Sequence, residues 1–513
     1  MNGRQHRMTM ISGKRFMIND EALALYSREQ AGALDRTLID AGTPGFELMS
    51  QAGEAAWASL QRHWPHCQRL SVLCGAGNNA GDGYVVAALA AQSGWQVEIV
   101  ALKEPQTLSG EAAEAVAMAQ QAGVAITPWQ AEWTPRGEVL VDALLGTGLT
   151  GEVRAPYDAA IRAINQSALP VLAIDLPSGL DADTGAVLGC AVRASRTVTF
   201  IGRKFGLYTG QAPDYTGSID YAPLSLTRLR RSNVEHVGWL MDEALPSRTL
   251  PQRQPTTHKG QCGHLLVVGG REGFGGSAIM ATETAARLGA GLVSLATSAV
   301  HIPPALTRCP EMMVKPVRNG LDLKELLEAA SGVLIGPGLG QQAWGEGLMQ
   351  AVLNTDRPCV VDADGLNLLA SRESGAWRDN WILTPHPGEA ARLLDCSTGE
   401  VQQDRRAAAR ALQDRYGGVI VLKGAGTLVV GGQSGDECLL SPFGNPGMAS
   451  GGMGDVLGGM IASLLVQGLP PLQAAATGVA VHGMAADRAA ASGGERGLLA
   501  TDLACFARQL VNP

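Results

Sequence analysis

The sequence lacks the features that mark several classes of protein. Its nine cysteines form no Cys-x-x-Cys pair, so they indicate reduced thiols in a cytoplasmic protein and neither a disulfide framework nor a zinc site. No run of about 18 apolar residues suits a membrane span, and the basic, polar segment 1–16 lacks the apolar core of a secretory signal. The net charge of −8 has the wrong sign for a nucleic-acid-binding protein. We therefore expect a cytoplasmic protein that binds neither a membrane nor nucleic acid.

Glycine, by contrast, is abundant. The 513 residues include 65 glycines without a collagen-like period, and 46% of the residues are hydrophobic. Many glycines outside a repeat indicate many tight turns, as in α/β proteins that bind nucleotides. The length suits two to four domains at roughly 100–200 residues each.

Short apolar runs alternate with helical segments along both halves of the chain. The predicted strands are 70–74, 96–102, 139–145, 170–174, 197–201, 264–268, 292–296, 332–335, 359–362, 381–383 and 419–422. The predicted helices are 21–35, 44–64, 84–92, 111–122, 157–165, 456–466, 472–491 and 501–510. This alternation predicts an α/β fold with parallel sheets that helices cover on both faces. Ligands of such doubly wound sheets bind at the carboxyl ends of the strands.

The alternation stops between the two halves. Residues 226–256 are rich in Arg, Ser, Gln and Pro, and we interpret them as a linker. The chain is then divided into a basic tail at 1–16, a first domain at 17–225 and a second domain at 257–513. The domains share no motif, so we predict two different doubly wound folds and not a repeat.

A glycine-rich run that ends in an aspartate is the most informative motif. Residues 445–455 read Asn-Pro-Gly-Met-Ala-Ser-Gly-Gly-Met-Gly-Asp and lead directly into the predicted helix 456–466. Small residues let a ligand approach the backbone, and the N–H groups at a helix start suit phosphate. A carboxylate beside phosphate would repel it, so Asp455 indicates proton transfer. The alternative is an ordinary loop with an aspartate cap.

Five further turns follow predicted strands of the second half and would meet at one edge of its sheet. They are 269–278, 336–340, 362–367, 384–389 and 423–427. Lys423, which precedes Gly-Ala-Gly-Thr, indicates a phosphate or nucleotide contact, and the alternative is a solvated lysine. His386 lies between two prolines, which also suits a structural role. Asp362 and Asp364 could equally cap the following helix.

The ordered motifs His-Pro-Gly-Glu, Lys-Gly-Ala-Gly-Thr and the run 445–455 resemble the NAD(P)H-hydrate dehydratase branch of the ribokinase-like superfamily. The resemblance covers about 260–510 and implies a ribokinase-like α/β/α domain with Asp455 as the catalytic base. Family members have Ala or Thr where this chain has Met453. The residues implied to bind the adenine nucleotide are Lys423, Gly424, Ala425, Gly426, Thr427 and Gly454. The residues implied to bind the substrate are Ala278, Gly338, His386 and Asp455.

Three strand-end turns also mark the first half. They read Asn-Asn-Ala-Gly-Asp-Gly at 78–83, Asp-Ala-Leu-Leu-Gly-Thr-Gly-Leu at 142–149 and Asp-Leu-Pro-Ser-Gly-Leu-Asp at 175–181. None is a Walker motif or a Gly-x-Gly-x-x-Gly fingerprint. Asn79, Asp142 and Ser178 would converge at the strand ends, where one carboxylate with neutral oxygens suits a monovalent cation better than Mg²⁺. Taken singly, each turn could be a helix cap with a sheet-end glycine.

Together these three turns resemble the NAD(P)H-hydrate epimerase family over about 20–225. The resemblance implies a Rossmann-like parallel sheet in which Asn79, Asp142 and Ser178 bind K⁺. The residues implied to bind the substrate are Asn78, Asn79, Ala80, Gly81, Asp82, Gly146, Thr147, Gly148, Leu149, Thr150, Gly151, Glu152 and Asp175. Ala80 replaces the glycine that many members carry. Either Asp142 or Asp175 would be the acid/base, and the sequence does not decide between them.

The two resemblances imply a bifunctional enzyme that repairs hydrated nicotinamide cofactors. The second domain would dehydrate the (S) epimers of NADHX and NADPHX, and it would use ADP with Mg²⁺ to give AMP and phosphate. Hydroxide is a poor leaving group and phosphate a good one, which explains a kinase-like fold in a lyase. The first domain would convert the (R) epimers into the (S) epimers. We expect a homo-oligomer.

Two other functions fit parts of the sequence. A small-molecule kinase with an attached ligand-binding domain would share the Gly-Asp ending of the run 445–455, but not the His-Pro-Gly-Glu turn or the partner domain. A non-enzymatic sensing module would not need three intact strand-end turns in the first half.

Overall fold

The computed structural model describes residues 21–225, 234–372, 376–432 and 437–512. These residues form two β-sheets covered by helices, which confirms the predicted α/β class. The predicted basic tail at 1–16 lies outside the described residues, and so does the part of the predicted linker at 226–233.

The described residues contain 19 strands and 18 α-helices. The strands are β1 (Ala24–Tyr26), β2 (Arg69–Cys74), β3 (Gln96–Ala101), β4 (Ala125–Pro128), β5 (Val139–Ala143), β6 (Val171–Ile174), β7 (Arg196–Phe200), β8 (Arg203–Lys204), β9 (Ser218–Ala222), β10 (Gly238–Leu240), β11 (His264–Val268), β12 (Leu292–Thr297), β13 (Met313–Pro316), β14 (Gly332–Ile335), β15 (Cys359–Val361), β16 (Trp381–Leu383), β17 (Val419–Leu422), β18 (Thr427–Gly431) and β19 (Glu437–Ser441). The helices are α1 (Arg28–Asp40), α2 (Gly45–His63), α3 (Asn78–Gln92), α4 (Glu111–Gln121), α5 (Tyr157–Gln166), α6 (Pro213–Thr216), α7 (Leu245–Thr249), α8 (Gly275–Arg287), α9 (Ile302–Arg308), α10 (Lys324–Ala329), α11 (Ala343–Leu353), α12 (Asp364–Ala370), α13 (Pro387–Leu394), α14 (Thr398–Gln403), α15 (Arg405–Tyr416), α16 (Met453–Val466), α17 (Pro471–Gly493) and α18 (Leu503–Leu510).

The first sheet lies in the N-terminal half. Its seven strands have the order β4-β3-β2-β5-β6-β7-β9, and every neighbouring pair is parallel. β5 is buried along its whole length, as expected for an apolar strand that helices cover on both faces. The chain runs outwards from β2 to β4 and then returns to β5. The loops after β2 and β5 therefore separate at a topological switch point, where ligands of doubly wound sheets bind.

The second sheet, in the C-terminal half, also has parallel strands with a topological switch point. Seven parallel strands have the order β13-β12-β11-β14-β15-β16-β17, with a switch point between β11 and β14, and β18 and β19 add an antiparallel ribbon. One apolar core packs α8, α16, α17 and α18 against one face. A second core covers the opposite face with α10 to α15.

This sheet continues into segments that precede the second predicted domain. Its order ends β19-β10-β1-β8, and Leu240 of β10 pairs with Leu440 of β19. β1 and β8 belong to the first predicted domain, and β10 belongs to the predicted linker. The linker residues that the structure describes, 234–256, thus include a sheet strand and the helix α7.

Three predicted helix starts are wrong, and one of them belongs to the helix predicted at 456–466, which begins at Met453 as α16. The predicted helix 21–35 is instead β1 followed by α1, because Ser27 and Gln30 form a capping box that starts α1 at Arg28. The helix predicted at 84–92 begins at Asn78 as α3. Gly83 lies inside this helix, where glycine permits close packing: an added Cβ would lie 2.5 Å from the Cβ of Ala143.

All nine cysteines lie within the described residues, and none of them forms a disulfide. Among the residues described, no helix has the length and apolar character needed to cross a membrane.

Candidate active sites

Five loops of the second sheet lie side by side at the carboxyl ends of parallel strands. They follow β11, β14, β15, β16 and β17, and they contain the five turns that the sequence singles out. Their backbones approach so closely that glycine is required. An added Cβ on Gly336 would lie 1.7 Å from the carbonyl oxygen of Asp362, and one on Gly269 would lie 2.1 Å from that of Pro337. These glycines let the loops form one crevice.

Asp455 lies in the first turn of α16, at one wall of the crevice. Gly452 precedes the helix with φ of 92°, in the left-handed region that favours glycine. Burial raises the pKa of Asp455 to about 6; repulsion from Asp362 adds to this increase, and a hydrogen bond with Ser277 of α8 opposes it. A carboxyl group that titrates near pH 6 is suited to accept a proton at neutral pH.

The run 445–455 is anchored by a residue that the sequence did not single out. Asp487 of α17 accepts hydrogen bonds from the backbone N of Gly444 at 3.0 Å and from Nδ2 of Asn445 at 2.9 Å. At the other end, Ser450 Oγ donates to the carbonyl oxygen of Leu498 at 3.1 Å. The loop before Asp455 is therefore held at both ends.

Lys423 forms an ion pair inside the crevice. Its Nζ donates to Oδ1 of Asp362 at 2.7 Å and lies 3.7 Å from Oε2 of Glu389. Burial opposes the charge, but attraction to Asp362 and Glu389 raises the pKa of Lys423. With its side chain 18% exposed, Lys423 is not the solvated lysine that the sequence allowed. Asp362 is 1% exposed and pairs with Lys423, while α12 has no side-chain cap.

Gly454 connects the start of α16 with this ion pair. An added Cβ on Gly454 would lie 3.3 Å from Nζ of Lys423 and 3.6 Å from Oδ2 of Asp362. The loop 423–427 therefore borders the same space as Asp455. Gly424 and Ala425 of this loop are exposed, and Thr427 Oγ1 donates to the carbonyl oxygen of Gly424 at 2.9 Å.

His386 is the N-cap residue of α13, so the structural role that the sequence allowed is observed. Its Nδ1 accepts from the backbone N of Gly388 at 3.0 Å, and its backbone N donates to Oε2 of Glu389 at 2.7 Å. Burial and the charges of Lys423 and Arg392 lower the pKa of His386, so the imidazole is neutral at neutral pH. Its side chain is still 51% exposed, so capping leaves room for a ligand contact.

Ala278 and Gly338 come from the loops on either side of the switch point. Ala278 is buried on α8, directly after the Ser277 that contacts Asp455. Gly338 has φ of 58°, and an added Cβ would lie 2.4 Å from the carbonyl oxygen of Phe274. The backbone N of Gly340 donates to Asp364 at 2.8 Å, so Asp364 shapes this loop and does not cap α12.

In the first sheet, Asp142 and Ser178 meet as the sequence predicts. Both side chains are fully buried. Oδ1 of Asp142 accepts from Oγ of Ser178 at 2.6 Å, and Oδ2 accepts from the backbone N of Ser178 at 2.8 Å. Burial raises the pKa of Asp142 to about 6, although the hydrogen bonds from Ser178 oppose the increase.

Asn79 lies beside the loop after β5, in which the backbone N of Leu145 donates to Oγ of Ser178 at 2.8 Å. An added Cβ on Gly146, in the loop after β5, would lie 3.1 Å from the Cβ of Asn79. Asn79 is buried, and neither Oδ1 nor Nδ2 has a hydrogen-bond partner among the residues that the structure describes. Because an unpaired buried amide is unfavourable, this orphaned oxygen indicates a ligand. A donor set with one carboxylate and neutral oxygens fits a monovalent cation such as K⁺.

Asp175 belongs to a separate cluster at the end of β6. It forms an ion pair with Nζ of Lys204, and it accepts from Oγ1 of Thr199 at 3.2 Å. Asp175 has φ of 65°, and holding a non-glycine residue in this region costs roughly 1–3 kcal/mol, a strain often found at functional sites. Burial raises the pKa of Asp82 well above its usual range, and repulsion from Asp175 and Asp35 adds to this increase.

The loop 146–152 forms the partly exposed border of this site. The guanidinium of Arg28, on α1, donates to the carbonyl oxygen of Leu149 at 3.1 Å. The first helix of the described chain therefore supports the loop that the sequence assigns to the substrate.

Sequence reasoning did not single out Lys204 or Asp487, and it gave Ser277 no role of its own within the turn 269–278. Lys204 follows a predicted strand, so the strand-end rule could have found it. Asp487 lies on a helix without a local motif, and only the fold brings it to the crevice.

Comparisons with known proteins find two family models, one in each half of the chain. A family model described as NAD(P)H-hydrate dehydratase matches residues 265–509, and one described as YjeF-related protein N-terminus matches residues 45–206. A solved ribokinase-like superfamily protein from Enterococcus faecalis, 28% identical, superposes with a TM-score of 0.50 over 55% of this chain and 100% of that chain.

Relatives from three bacteria match nearly the whole chain. A bifunctional NAD(P)H-hydrate repair enzyme of Coxiella burnetii is 49% identical over 95% of this chain and 99% of its own length. Proteins of the same description from Escherichia coli and Vibrio cholerae are 45% and 43% identical, over 95% and 94% of this chain and 92% and 96% of their own lengths. These relatives do not favour the kinase alternative. The chain therefore belongs to the family of bifunctional NAD(P)H-hydrate repair enzymes, which combine an epimerase domain with a dehydratase domain.

Proposed function

We propose that the C-terminal crevice dehydrates the (S) epimers of NADHX and NADPHX with ADP, and that Asp455 is its base. The observation that carries this proposal is the position of Asp455. It lies at the start of α16, with a pKa of about 6, and the neighbouring Gly454 borders Lys423 of the loop 423–427. This position supports the role of Asp455 as a base, because the neighbouring residues are suited to bind phosphate.

The proposed reaction begins with phosphoryl transfer. Asp455 takes the proton of the C6 hydroxyl group, and the hydroxyl oxygen attacks the β-phosphorus of ADP as the bond to AMP breaks. The electron pair of the ring nitrogen then expels phosphate from C6, and transfer of a C5 proton to the departing phosphate restores the double bond. The backbone N–H groups at the start of α16 stabilise the negative charge on the transferred phosphoryl group.

Residue roles follow from this reaction. Lys423 and the exposed backbone of Gly424 and Ala425 bind the nucleotide together with Gly426, Thr427 and Gly454. Ala278, Gly338 and His386 bind the nicotinamide substrate. Mg²⁺ that accompanies ADP would neutralise part of the phosphate charge.

For the N-terminal site we propose that Asp175 is the acid/base and that Asp142 holds K⁺. Asp142 is fully buried and bonded to Ser178, whereas Asp175 is partly exposed and paired with Lys204. Asp175 can therefore exchange a proton with the C6 hydroxyl group, and the ion pair with Lys204 holds its carboxylate in place. Asn79, Asp142 and Ser178 would hold K⁺, whose positive charge would help to orient the oxygen-rich loops.

The remaining N-terminal residues would bind the substrate. They are Asn78 to Asp82 at the start of α3 and Gly146 to Glu152 in the loop after β5, both beside the switch point of the sheet.

The test uses an epimer mixture of enzymatically hydrated NADH with ADP, Mg²⁺ and K⁺. Recovery of the reduced-nicotinamide absorbance is followed, and spontaneous epimerisation is subtracted. We expect both epimers to be recovered fully, and only when ADP is present. Recovery of one epimer would remove support for the N-terminal assignment, and a stable phosphorylated product would contradict the dehydratase assignment.

A further inference from the structure

Arg405, the first residue of α15, is a buried cation without a carboxylate partner. It is 1% exposed, and no carboxylate of the described residues forms an ion pair with it. Burial lowers the pKa of Arg405 to about 10, so the side chain remains charged at neutral pH. A buried charge of this kind is unfavourable unless hydrogen bonds satisfy it.

The guanidinium is satisfied mainly by the backbone around the loop 423–427. One nitrogen, Nη2, lies 3.2 Å from the carbonyl oxygens of Leu422 and Lys423 and 3.5 Å from that of Gly426. The other terminal nitrogen, Nη1, donates to Oε1 of Gln402 at 2.7 Å. One planar group therefore contacts the loop on both sides of its exposed residues Gly424 and Ala425.

The third guanidinium nitrogen of Arg405 contacts the N-terminal domain. Its Nε donates to Oγ1 of Thr209 at 3.1 Å, across 196 positions of sequence. Thr209 Oγ1 in turn lies 3.4 Å from the carbonyl oxygen of Gly426. Gly426 has φ of 64°, and an added Cβ would lie 2.1 Å from the carbonyl oxygen of Tyr208. The loop is thus packed directly against residues 208–209.

Residues 208–209 contact both halves of the chain. The buried 3₁₀ turn Phe205–Tyr208 follows β8, which pairs with β1 at the end of the second sheet, and Leu207 and Tyr208 lie in the apolar core on one face of that sheet. The backbone N of Gly206 also donates to the carbonyl oxygen of Ala182 at 2.8 Å, so the N-terminal domain helps to set the position of residues 208–209.

We propose that Arg405 and Thr209 form a bridge through which the N-terminal domain holds the loop 423–427 in the conformation that binds ADP. Arg405 is a positioning residue here, because it contacts the carbonyl groups of the loop and leaves the N–H groups free for phosphate. This inference rests on the proposed assignment of the loop to ADP.

The test measures dehydratase kinetics of the full chain with ADP as the varied substrate. Thr209→Val keeps the shape and removes the hydroxyl group, and Arg405→Lys keeps the charge and removes the planar fork. We expect Thr209→Val to raise the KM for ADP about three- to tenfold with kcat within about twofold. Arg405→Lys should raise the KM for ADP more than Thr209→Val does. Thr209→Ser keeps the hydroxyl group and should therefore have the KM for ADP of the unchanged protein.

Matched variants separate positioning from general loss of stability. Thr197→Val removes a buried hydroxyl that donates to the carbonyl oxygen of Thr216 at 2.7 Å in β7, and Arg415→Lys changes an exposed arginine of the same helix α15. Both should leave the KM for ADP unchanged. An equal increase in these controls would overturn the bridge.

A loop variant distinguishes failure of the bridge from failure of the loop assignment. Ala425→Glu places a negative charge on the exposed loop and should raise the KM for ADP strongly, since it repels phosphate. If Ala425→Glu raises it and Thr209→Val and Arg405→Lys do not, the bridge is overturned and the loop assignment stands. If Ala425→Glu has no effect either, the loop does not bind ADP and both proposals fall.

Discussion

Nζ of Lys423 lies 2.7 Å from Oδ1 of Asp362, and this ion pair closes the wall of the crevice beside Gly454. The lysine comes from the loop after β17 and the aspartate from the loop after β15. The carboxylate of Asp362 raises the pKa of Lys423, and the positive charge of Lys423 offsets the cost of burying that carboxylate. Phosphate would enter beside an organised positive charge.

Replacing Asp455 tests the proposed base. Asp455→Asn keeps the size of the side chain and the hydrogen bond with Ser277, but the amide cannot accept the hydroxyl proton. We expect the dehydratase kcat to fall about 10²- to 10⁴-fold, while the affinity for ADP, measured by calorimetry, stays within a few-fold. Asp379→Asn, at an exposed position, is the control and should retain full activity. Dehydratase activity of Asp455→Asn within tenfold of the unchanged protein would rule out this role.

The pH dependence of the dehydratase should report the same group. The pKa of Asp455 is raised to about 6, and the base must be ionised, so activity is present above this pH and is lost as the pH falls through it. We expect kcat/KM for hydrated NADH to show an acidic limb centred near pH 6, because this ratio reports the free enzyme. A profile that stays flat from pH 5 to pH 8 would contradict the assignment.

The strands that carry both sites could be predicted because they are short apolar runs, each followed by a turn that contains glycine. β2, β5 and β6 in the first sheet and β11, β14 and β15 in the second are of this kind, and each places a predicted turn at the sheet edge. β4 and β13 were missed because they are largely exposed and carry no apolar run. β8 has only two residues, too few for any period to show.

The ion pair predicts how Lys423 variants behave. Lys423→Met leaves the 1% exposed Asp362 without its counter-charge, and we expect the free energy of unfolding to fall by about 3 kcal/mol. Adding Asp362→Asn should recover most of this stability, since an amide oxygen can still accept from Oγ1 of Thr384. The double variant still lacks the positive charge of Lys423, so its affinity for ADP should stay below that of the unchanged protein. Chemical denaturation and calorimetry measure the two effects, and a stable Lys423→Met protein with normal ADP affinity would refute this account.

Asn79 predicts a response to K⁺. Its Oδ1 and Nδ2 are buried without a partner among the described residues, so a cation that uses the oxygen should stabilise the fold. We expect Tm to rise in KCl relative to choline chloride, and Asn79→Ala should abolish this increment while the protein without K⁺ loses little stability. Asn78→Ala, at the exposed neighbour, should keep the increment. The same K⁺ response in Asn79→Ala would exclude Asn79 from the cation site.

Contacts between the halves lay beyond sequence reasoning. Arg405 and Thr209 are 196 positions apart, and neither lies in a motif. The segment interpreted as a linker contributes β10 to the second sheet because Gly-Trp-Leu meets a free strand edge beside β19. That pairing depends on backbone geometry and not on a local pattern. Lys204 lies in β8, shortly after the end of β7, and forms an ion pair with Asp175. The rule that site residues follow strands covers this position, but composition alone does not indicate it.

We propose that the two sites of this chain act in sequence on the two epimers. The most direct measurement starts from the purified (R) epimer of NADHX and follows both epimers, NADH, AMP and phosphate by chromatography. We expect the (S) epimer to form without ADP and faster than it does spontaneously. We also expect addition of ADP with Mg²⁺ to convert all material to NADH with one AMP and one phosphate each. NADH formation without ADP, persistent (R) epimer, or accumulation of a phosphorylated product would contradict this proposal.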